Sequence, residues 1–298
     1  MTPARDDALG AFARYRADLV SLAYRMLGDM ARAEDMVQEA WLRWSQRAED
    51  PSSPRAYLIT IVTRLCLNEL DSARARREES RSDRLPEPVA LCGSSLEKLE
   101  DLDQVSMALL LVLQRLAPAE RAVLLLHDVF DFEHAAIGDL VGKSPLACRK
   151  LLERARRRVA DERRTLAAPH DEHRRLLHAF LEAAGDGDMN KLVDLLAEDA
   201  VMITDGGAEG VIGDGVRNLA EPLVGAARIA SFVAHTTRRS GRTLRPEERE
   251  FNGRPSILFF RGEEPFAALL LAVADGRIQR VFFHADRSRL RYLAPPEN

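Results

Sequence analysis

The chain has 298 residues, enough for two or three domains that each bury a core. Its net charge of −4 means that binding to nucleic acid would have to come from local clusters of cations. Three scattered cysteines without metal-ligand spacing fit a reducing compartment, and the N-terminus lacks the apolar core of a signal peptide. The longest apolar run, around Met107 to Leu113, is too short to span a bilayer. We therefore expect a cytoplasmic protein with no metal and no cofactor.

The first predicted elements are helices. Apolar residues recur at helical spacing from Asp7 to about Ala48, with a break at Gly28-Asp29. The second helix, Ala33 to Trp44, has one apolar face and one polar face. The polar face carries Glu34, Asp35, Gln38 and Glu39. Periodicity alone explains these side chains as the solvated surface of a helix.

A long basic helix is predicted next. Prolines and serines between Gln46 and Pro54 indicate a loop, and the helical pattern then runs from Pro54 to Arg81. Its last turns carry Arg74, Arg76, Arg77 and Arg81. The helix dipole favours cations near a C-terminus, but four arginines within eight residues exceed what capping requires. From Ser80 to Ser95 two prolines enforce an extended backbone, which predicts a linker.

The segment from Leu113 to Val159 predicts a helix-turn-helix. Gly142 marks the turn, Ser144 is positioned to cap the next helix, and Pro145 occupies its first position. That helix has a narrow apolar face, and cations occupy its other faces. The apolar face is formed by Cys148, Leu152, Ala155 and Val159, and the cations are Arg149, Lys150, Arg154, Arg156, Arg157 and Arg158. Such a helix suits a DNA major groove, and the alternative is an ordinary solvated basic helix.

The tail predicts a separate α+β domain. Two helices end near Leu196, a strand leads to a turn at Asp205-Gly206-Gly207, and a further helix covers Ala227 to Ala234. Three strands follow, of which the last two are joined by Ala274-Asp275-Gly276. They are Ser256 to Gly262, Pro265 to Gly276 and Arg277 to Asp286. Helices followed by an antiparallel sheet indicate an α+β cone.

Two of these segments carry a family resemblance. AEDMVQEAWLRW followed by PRAYLITIVTRLCLNELDSARARRE resembles region 2 of extracytoplasmic-function RNA polymerase sigma factors. Leu113 to Val159 is similar to region 4 of the same family, and the two motifs occur in family order and spacing. The resemblance implies a multidomain protein with two all-α domains and the cone. The expected domains are region 2 at 1–80, a linker at 81–100, region 4 at 101–166 and the C-terminal domain at 170–294.

The resemblance also implies roles for individual residues. Core RNA polymerase is expected to bind the second helix through Glu34, Asp35, Gln38 and Trp41. The loop from Gln46 to Pro54 would hold a base flipped from the promoter −10 element. The −10 element would be contacted by Arg64, Asn68, Arg74, Arg76 and Arg77, and the −35 element by Ser144, Arg149, Lys150, Arg154 and Arg157. Two departures from the family pattern are Arg64, where many members have Asn, and Ala136, where Glu is frequent. Gly138 follows Ala136, and we expect it to make this helix less stable than usual.

LPEPV at Leu85 to Val89 resembles a signature of sigma factors with a SnoaL-like C-terminal domain, and the tail resembles the SnoaL or NTF2-like fold. This implies that the tail modulates sigma activity in cis, with a small molecule as a further expected ligand. The residues implied in the regulatory contact are Leu85, Pro86, Glu87, Pro88, Asp205, Gly206, Gly207 and Asp286.

Two other classes of function compete with this interpretation. One is a ligand-sensing helix-turn-helix regulator, which would not need an acidic and aromatic docking helix at its N-terminus. The other is a SnoaL-type cyclase or isomerase tethered to DNA-binding domains, with Asp205, His235 and His284 as acid–base groups. Because Asp205 already has a role in a turn and fold does not carry function, we expect regulation and no catalytic residues.

Overall fold

A computed structural model describes residues 3–47, 51–72, 85–89, 106–163, 168–207, 210–213, 216–240, 244–290 and 293. The chain divides into two compact units. Among the described residues, the N-terminal unit comprises 3–72 and 109–161, and the C-terminal unit comprises 85–89, 106–108 and 162–293. The described helices include none that is both long and apolar enough to cross a membrane.

The described part of the N-terminal unit is helical. Its helices are α1 (Pro3–Leu27), α2 (Met30–Ser45), α3 (Pro54–Asp71), α4 (Met107–Arg115, whose first two residues belong to the other unit), α5 (Pro118–Asp128), α6 (His134–Val141) and α7 (Pro145–Arg163). Local capping fixes their starts. Asp29 accepts a hydrogen bond from the N–H of Arg32 at 3.0 Å, and Ser53 accepts one from Ala56 at 3.3 Å.

The prediction of one helix from Pro54 to Arg81 is wrong. Helix α3 ends at Asp71, because Ser72 adopts an extended backbone (φ −64°, ψ 152°) and its N–H turns back to the carbonyl of Glu69. The serine is the residue at which the helical hydrogen-bond ladder stops. The arginine cluster at 74–81 lies outside the described residues.

A buried arginine ties the first helices to the later ones. Arg121 on α5 is 3% exposed and donates to the carbonyls of Leu113 at 2.7 Å and Gln114 at 2.8 Å. It also donates to the carbonyl of Met26 at the end of α1. A buried guanidinium is tolerated only when its donors are satisfied, so these carbonyls fix the position of α5 against α1.

The C-terminal unit places helices on one six-stranded sheet. Its elements are α8 (His170–Asp186), α9 (Met189–Leu195), β1 (Leu196–Asp205), β2 (Val211–Gly213), β3 (Val216–Arg217), β4 (Leu223–Val224), α10 (Ala226–Ser240), β5 (Arg245–Phe251), β6 (Arg254–Arg261), β7 (Glu264–Ala274), β8 (Arg277–His284) and α11 (Arg287–Leu290). The strand order is β4-β1-β8-β7-β6-β5, with β1 and β8 parallel and the other neighbours antiparallel. The three expected C-terminal strands are confirmed as β6, β7 and β8.

One face of this sheet carries the core. Leu177 and Phe180 of α8 and Ile229 of α10 pack against strand residues such as Leu269 and Val281. The expected α+β class of this unit, with helices packed on a mostly antiparallel sheet, is confirmed. Strand β5 was not expected from the sequence, because most of its residues are charged and few are apolar. Such a composition is compatible with its position at the edge of the sheet.

Candidate functional site

In the helix-turn-helix, Gly142 ends the first helix and Ser144 caps the start of the second, as the sequence predicts. Gly142 has a left-handed backbone (φ 68°), and its N–H donates to the carbonyl of Gly138. The hydroxyl of Ser144 accepts a hydrogen bond from the N–H of Ala147 at 3.2 Å, and Pro145 is the first residue of α7. These caps set the angle between α6 and α7 locally.

Gly138 has a packing role that the sequence did not indicate. The N–H of Lys143 donates to the carbonyl of Gly138 at 2.9 Å, so the turn folds back onto the helix. A Cβ atom on Gly138 would lie 2.5 Å from the carbonyl oxygen of Lys143. The expectation that this glycine weakens α6 is therefore wrong, because only glycine allows such a close approach.

Helix α7 separates apolar and cationic faces as expected. Its four predicted core positions are buried, and its cations are exposed. The buried residues are Cys148, Leu152, Ala155 and Val159, and the exposed ones include Arg149, Lys150, Arg154 and Arg157. The apolar face holds the helix on its domain, so the cationic faces remain available to a ligand.

Acidic residues of α5 divide the α7 cations into two groups. Glu120, 4% exposed, binds Arg154 at 2.7 Å and Arg158 at 3.1 Å. Asp128 binds Arg156 at 2.6 Å.

Partial burial alone would raise the pKa of Asp128, but hydrogen bonds from Arg156 and His127 lower it. Arg149 and Lys150 have no such acidic partner within the described part of the chain. Binding through Arg149 and Lys150 would therefore break no ion pair with an α5 acid that the structure describes.

Helix α2 presents part of its predicted polymerase surface. Asp35 and Gln38 are exposed, and Glu34 is half-buried at 3.9 Å from Arg16. Trp41 is also half-buried, and its ring lies 5.0 Å from that of Phe12 in a tilted contact. Asp35 and Gln38 are thus the predicted residues that are most accessible to a partner.

Helix α3 places Arg64 and Asn68 one turn apart, both exposed on the same face. The other predicted −10 residues, Arg74, Arg76 and Arg77, lie outside the described residues, as do positions 48–50 of the predicted base pocket. Beside that loop, the guanidinium of Arg47 stacks over the ring of Trp44 at 3.5 Å.

The LPEPV segment is bound to the C-terminal sheet at its first residue. The N–H of Leu85 donates to Oδ2 of Asp205 at 3.1 Å, and Arg289 donates to the carbonyl of Leu85 at 2.6 Å. Oδ1 of Asp205 accepts from the N–H of Gly207 at 2.9 Å. The turn residues therefore form a receptor for the linker, together with an arginine from α11.

The same segment is bound at its last residue by a reciprocal pair. Val89 donates to Oδ1 of Asn252 at 3.2 Å, and the N–H of Asn252 donates to the carbonyl of Val89 at 3.0 Å. Residues Leu85 to Val89 are all buried. Sequence reasoning missed Asn252 and Arg289, although Asn252-Gly253 has the composition of a tight hairpin turn.

The remaining predicted contact residues support this receptor. A Cβ atom on Gly207 would lie 2.6 Å from Cγ of Asp286, so the two turns pack closely. Asp286 accepts hydrogen bonds from the N–H and hydroxyl of Ser288. Burial raises the pKa of the Asp205 carboxyl, and the N–H of Gly207 and the charge of Arg289 offset only part of this effect.

The three candidate acid–base groups do not form one site: Asp205 and His284 are neighbours on β1 and β8, but His235 lies on α10. His235 is exposed on α10, and Asp205 is engaged by the linker. His284 is buried. Its burial and the charge of Arg289 lower its pKa to about 3, against the opposing effect of the Pro86 backbone. None of the three lines the large cavity of this unit. The geometry therefore gives the catalytic alternative no support.

A helix-turn-helix with a cationic second helix, following a helical module whose second helix exposes acidic and amide side chains, is the arrangement of a promoter-recognition protein of the sigma-70 class. Comparison with known families agrees: residues 11–76 match Sigma-70 region 2, and residues 106–159 match Sigma-70 region 4. The chain is 32% identical over 289 residues to the probable ECF RNA polymerase sigma factor SigI of Mycobacterium tuberculosis, covering 96% of this chain and 95% of that protein. The chain belongs to the extracytoplasmic-function sigma factors.

Two further comparisons concern the sigma factor SigJ of the same organism. Its sequence is 36% identical over 198 residues, which cover 65% of this chain and 64% of that protein. Its crystal structure is similar with a TM-score of 0.74 at 27% identity, and the match covers 97% of this chain and 100% of that one. Because this structural match covers 97% of the chain, it includes the C-terminal unit as well as the two sigma regions.

Proposed function

We propose that this chain is a transcription initiation factor that binds core RNA polymerase and recognises −10 and −35 promoter elements. The observation that carries the proposal is the pair of exposed cations Arg149 and Lys150 on the helix-turn-helix, for which the described residues provide no acidic partner. In contrast, acids of α5 bind Arg154, Arg156 and Arg158. It is not an enzyme. The proposed domains are region 2 at 1–80, a linker at 81–100, region 4 at 101–166 and the C-terminal domain at 170–294.

Core polymerase binding is assigned to α2. Asp35 and Gln38 are exposed, whereas Glu34 and Trp41 also contact α1. An acidic and amide surface suits a basic partner surface and adds to the rate of association. Asp35 and Gln38 therefore carry most of the proposed contact, and Glu34 and Trp41 position the helix.

Promoter contacts are assigned to α3 and α7. Arg64 and Asn68 share an exposed face, where a guanidinium can bind phosphate and an amide can pair with a base edge. Ser144, Arg149, Lys150 and Arg157 lie at the exposed start and outer face of α7. Arg154 remains in the proposed −35 set, although its ion pair with Glu120 must be exchanged for the DNA contact.

Modulation in cis is assigned to the C-terminal unit through the LPEPV segment. Two hydrogen-bonded ends attach this segment to the sheet, and the segment precedes region 4 in the chain. Holding or releasing it changes the length of free chain between the regions that read the two promoter elements. A small molecule bound by this unit would act through that length.

Run-off transcription with purified core polymerase tests the proposal. We expect the full chain to direct transcripts, and the double variant Asp35→Arg, Gln38→Ala to abolish both transcription and co-purification with core enzyme. Glu182→Arg makes the same charge change on an exposed residue of α8 and should leave both unchanged. Undiminished co-purification of the double variant would contradict the assignment to α2.

The ligand-sensing regulator remains a distinguishable outcome of the same experiment. Such a protein would bind a specific DNA site without polymerase, and Asp35→Arg would leave that binding intact. A sigma factor instead requires the polymerase to form a start-site-specific complex. Specific DNA binding by the chain alone, with no transcript, would favour the regulator.

A further inference from the structure

The C-terminal unit encloses a cavity of about 600 Å³ between its helices and one face of its sheet. Such a volume falls within the range of small-molecule binding sites. Five phenylalanine rings line it, and they come from α8, α10, β6, β7 and β8. They are Phe180, Phe232, Phe259, Phe266 and Phe283. The remaining wall includes Ala184, Met202 and Leu269, so the interior is apolar.

Two exposed residues of opposite charge lie at the rim of this cavity. Asp186 and Arg238 are the charged residues among its lining, and both are exposed. Asp186 is the last residue of α8, and Arg238 lies in the last turn of α10, so the C-terminal ends of both helices lie beside the cavity. Helix C-termini carry partial negative charge, which does not favour an anion there.

We propose that this cavity binds an uncharged hydrophobic molecule of drug-like size, and that its occupancy acts on the docked LPEPV segment. The proposal rests on the proposed function, since it names the ligand class through which the C-terminal unit regulates the sigma regions. Burial of apolar surface would drive binding, and the phenylalanine rings favour ligands with flat or ring-containing skeletons.

The link between the cavity and the linker follows from strand geometry. Successive side chains of a strand point to opposite faces of a sheet. On β1, Met202 lines the cavity, and Asp205, three residues later, points to the other face and holds Leu85. On β8, Phe283 lines the cavity, and the next residue, His284, lies beside Pro86.

The ligand site and the linker site are therefore the two faces of the same pair of parallel strands. Asp205 and His284 are register partners at their common end. A ligand that displaces Met202 or Phe283 moves the backbone that carries Asp205 and His284. Because coupling between two ligands is reciprocal, docking of the linker must change the affinity of the cavity by the same factor.

Fluorescence titration of the full chain tests the ligand class. The probes are N-phenyl-1-naphthylamine, which is neutral, and 1-anilinonaphthalene-8-sulfonate, which adds one negative charge to the same skeleton. We expect saturable binding of one neutral probe per chain, with weaker binding of the anionic probe. Binding of the anion as tight as that of the neutral probe, or no saturable binding, would overturn the assignment.

Two variants test the location. Ala184→Leu fills the cavity from α8, and Thr237→Trp narrows it at a half-buried position. Each should weaken the neutral probe by about tenfold or more, because the ligand loses the volume that the new side chain takes. Glu182→Leu and Glu182→Trp place the same side chains on the exposed face of α8 and should leave the affinity unchanged. Equal affinities of cavity and control variants would place the probe elsewhere.

The coupling is tested by Asp205→Ala in the same titration. Since this change removes the acceptor of Leu85, the affinity for the neutral probe should shift at least severalfold, whereas Asp205→Asn should shift it less. An unchanged affinity would show that the two faces are independent. These titrations contain neither polymerase nor DNA, so their failure is distinct from a failure of the proposed sigma activity.

Discussion

The backbone N–H of Leu85 donates to Oδ2 of Asp205 at 3.1 Å, although 120 positions separate the two residues. This bond joins the segment between the two sigma regions to the first strand of the C-terminal sheet. Since Arg289 binds the carbonyl of the same leucine, both polar groups of its backbone are satisfied by side chains. A linker residue held in this way belongs to the C-terminal unit.

Removing the acceptor should release the linker. We expect Asp205→Ala to leave the N–H groups of Leu85 and Gly207 unpaired, which costs about 1–3 kcal/mol per buried group. Hydrogen exchange at the Leu85 amide should then accelerate by roughly 5- to 150-fold. Asp205→Asn keeps an acceptor and a similar shape, so its exchange should remain closer to that of the unaltered chain. Equal exchange in all three proteins would contradict the role of Asp205.

The buried histidine predicts a loss of stability in acid. The pKa of His284 is about 3 in the folded chain and lies near 6.5 when exposed, so the unfolded state binds the proton first as pH falls. The contribution of neutral His284 to the free energy of unfolding is complete above pH 6.5 and is lost as the pH falls from 6.5 to 3. By pH 4 the loss is about 3 kcal/mol. Hydrogen exchange of the β7 and β8 amides measures this opening. His284→Gln should flatten the dependence in that range, and an unchanged slope would exclude His284 as its source.

A glycine-to-alanine change should be harmful in α6 although it is favourable in ordinary helices. Gly138→Ala drives a Cβ atom against the carbonyl of Lys143, and we expect it to lower the free energy of unfolding by about 1–3 kcal/mol. Gly10→Ala, at an exposed position of α1 with open space around it, should raise it by about 0.5–1 kcal/mol. Urea unfolding monitored by circular dichroism compares the two. A stabilising Gly138→Ala would mean that the turn can move away.

The two groups of α7 cations should differ in promoter binding. Arg149→Ala removes a cation that has no acidic partner among the residues the structure describes, and loss of a base contact should weaken −35 binding by about 1–3 kcal/mol, or roughly 5- to 150-fold. Arg154→Ala should weaken it less, because its DNA contact competes with the ion pair to Glu120. Filter binding of the polymerase complex to promoter DNA measures both. A larger effect of Arg154→Ala would reverse the assignment.

Much of this molecule could be predicted from local sequence. Local contacts within four residues define the caps at Asp29, Ser53 and Ser144 and the turn at Gly142. A short stretch of sequence is therefore enough to predict them. The apolar face of α7 and the strands β6 to β8 follow from periodicity for the same reason. Strand β5 could not be read in this way, because an edge strand with one neighbour needs few apolar residues.

The sequence by itself determined the two helical modules, the cationic α7 and the consecutive strands β6 to β8, since each depends on contacts between near neighbours. Only the tertiary structure decided which groups meet across long stretches of chain. It assigned Asn252 and Arg289 to the linker, Glu120 to Arg154, and His284 to a buried position opposite the cavity-lining Phe283. Such pairs leave no periodic signal, because hydrogen bonds and charges between distant residues depend on how the chain is folded rather than on spacing along it.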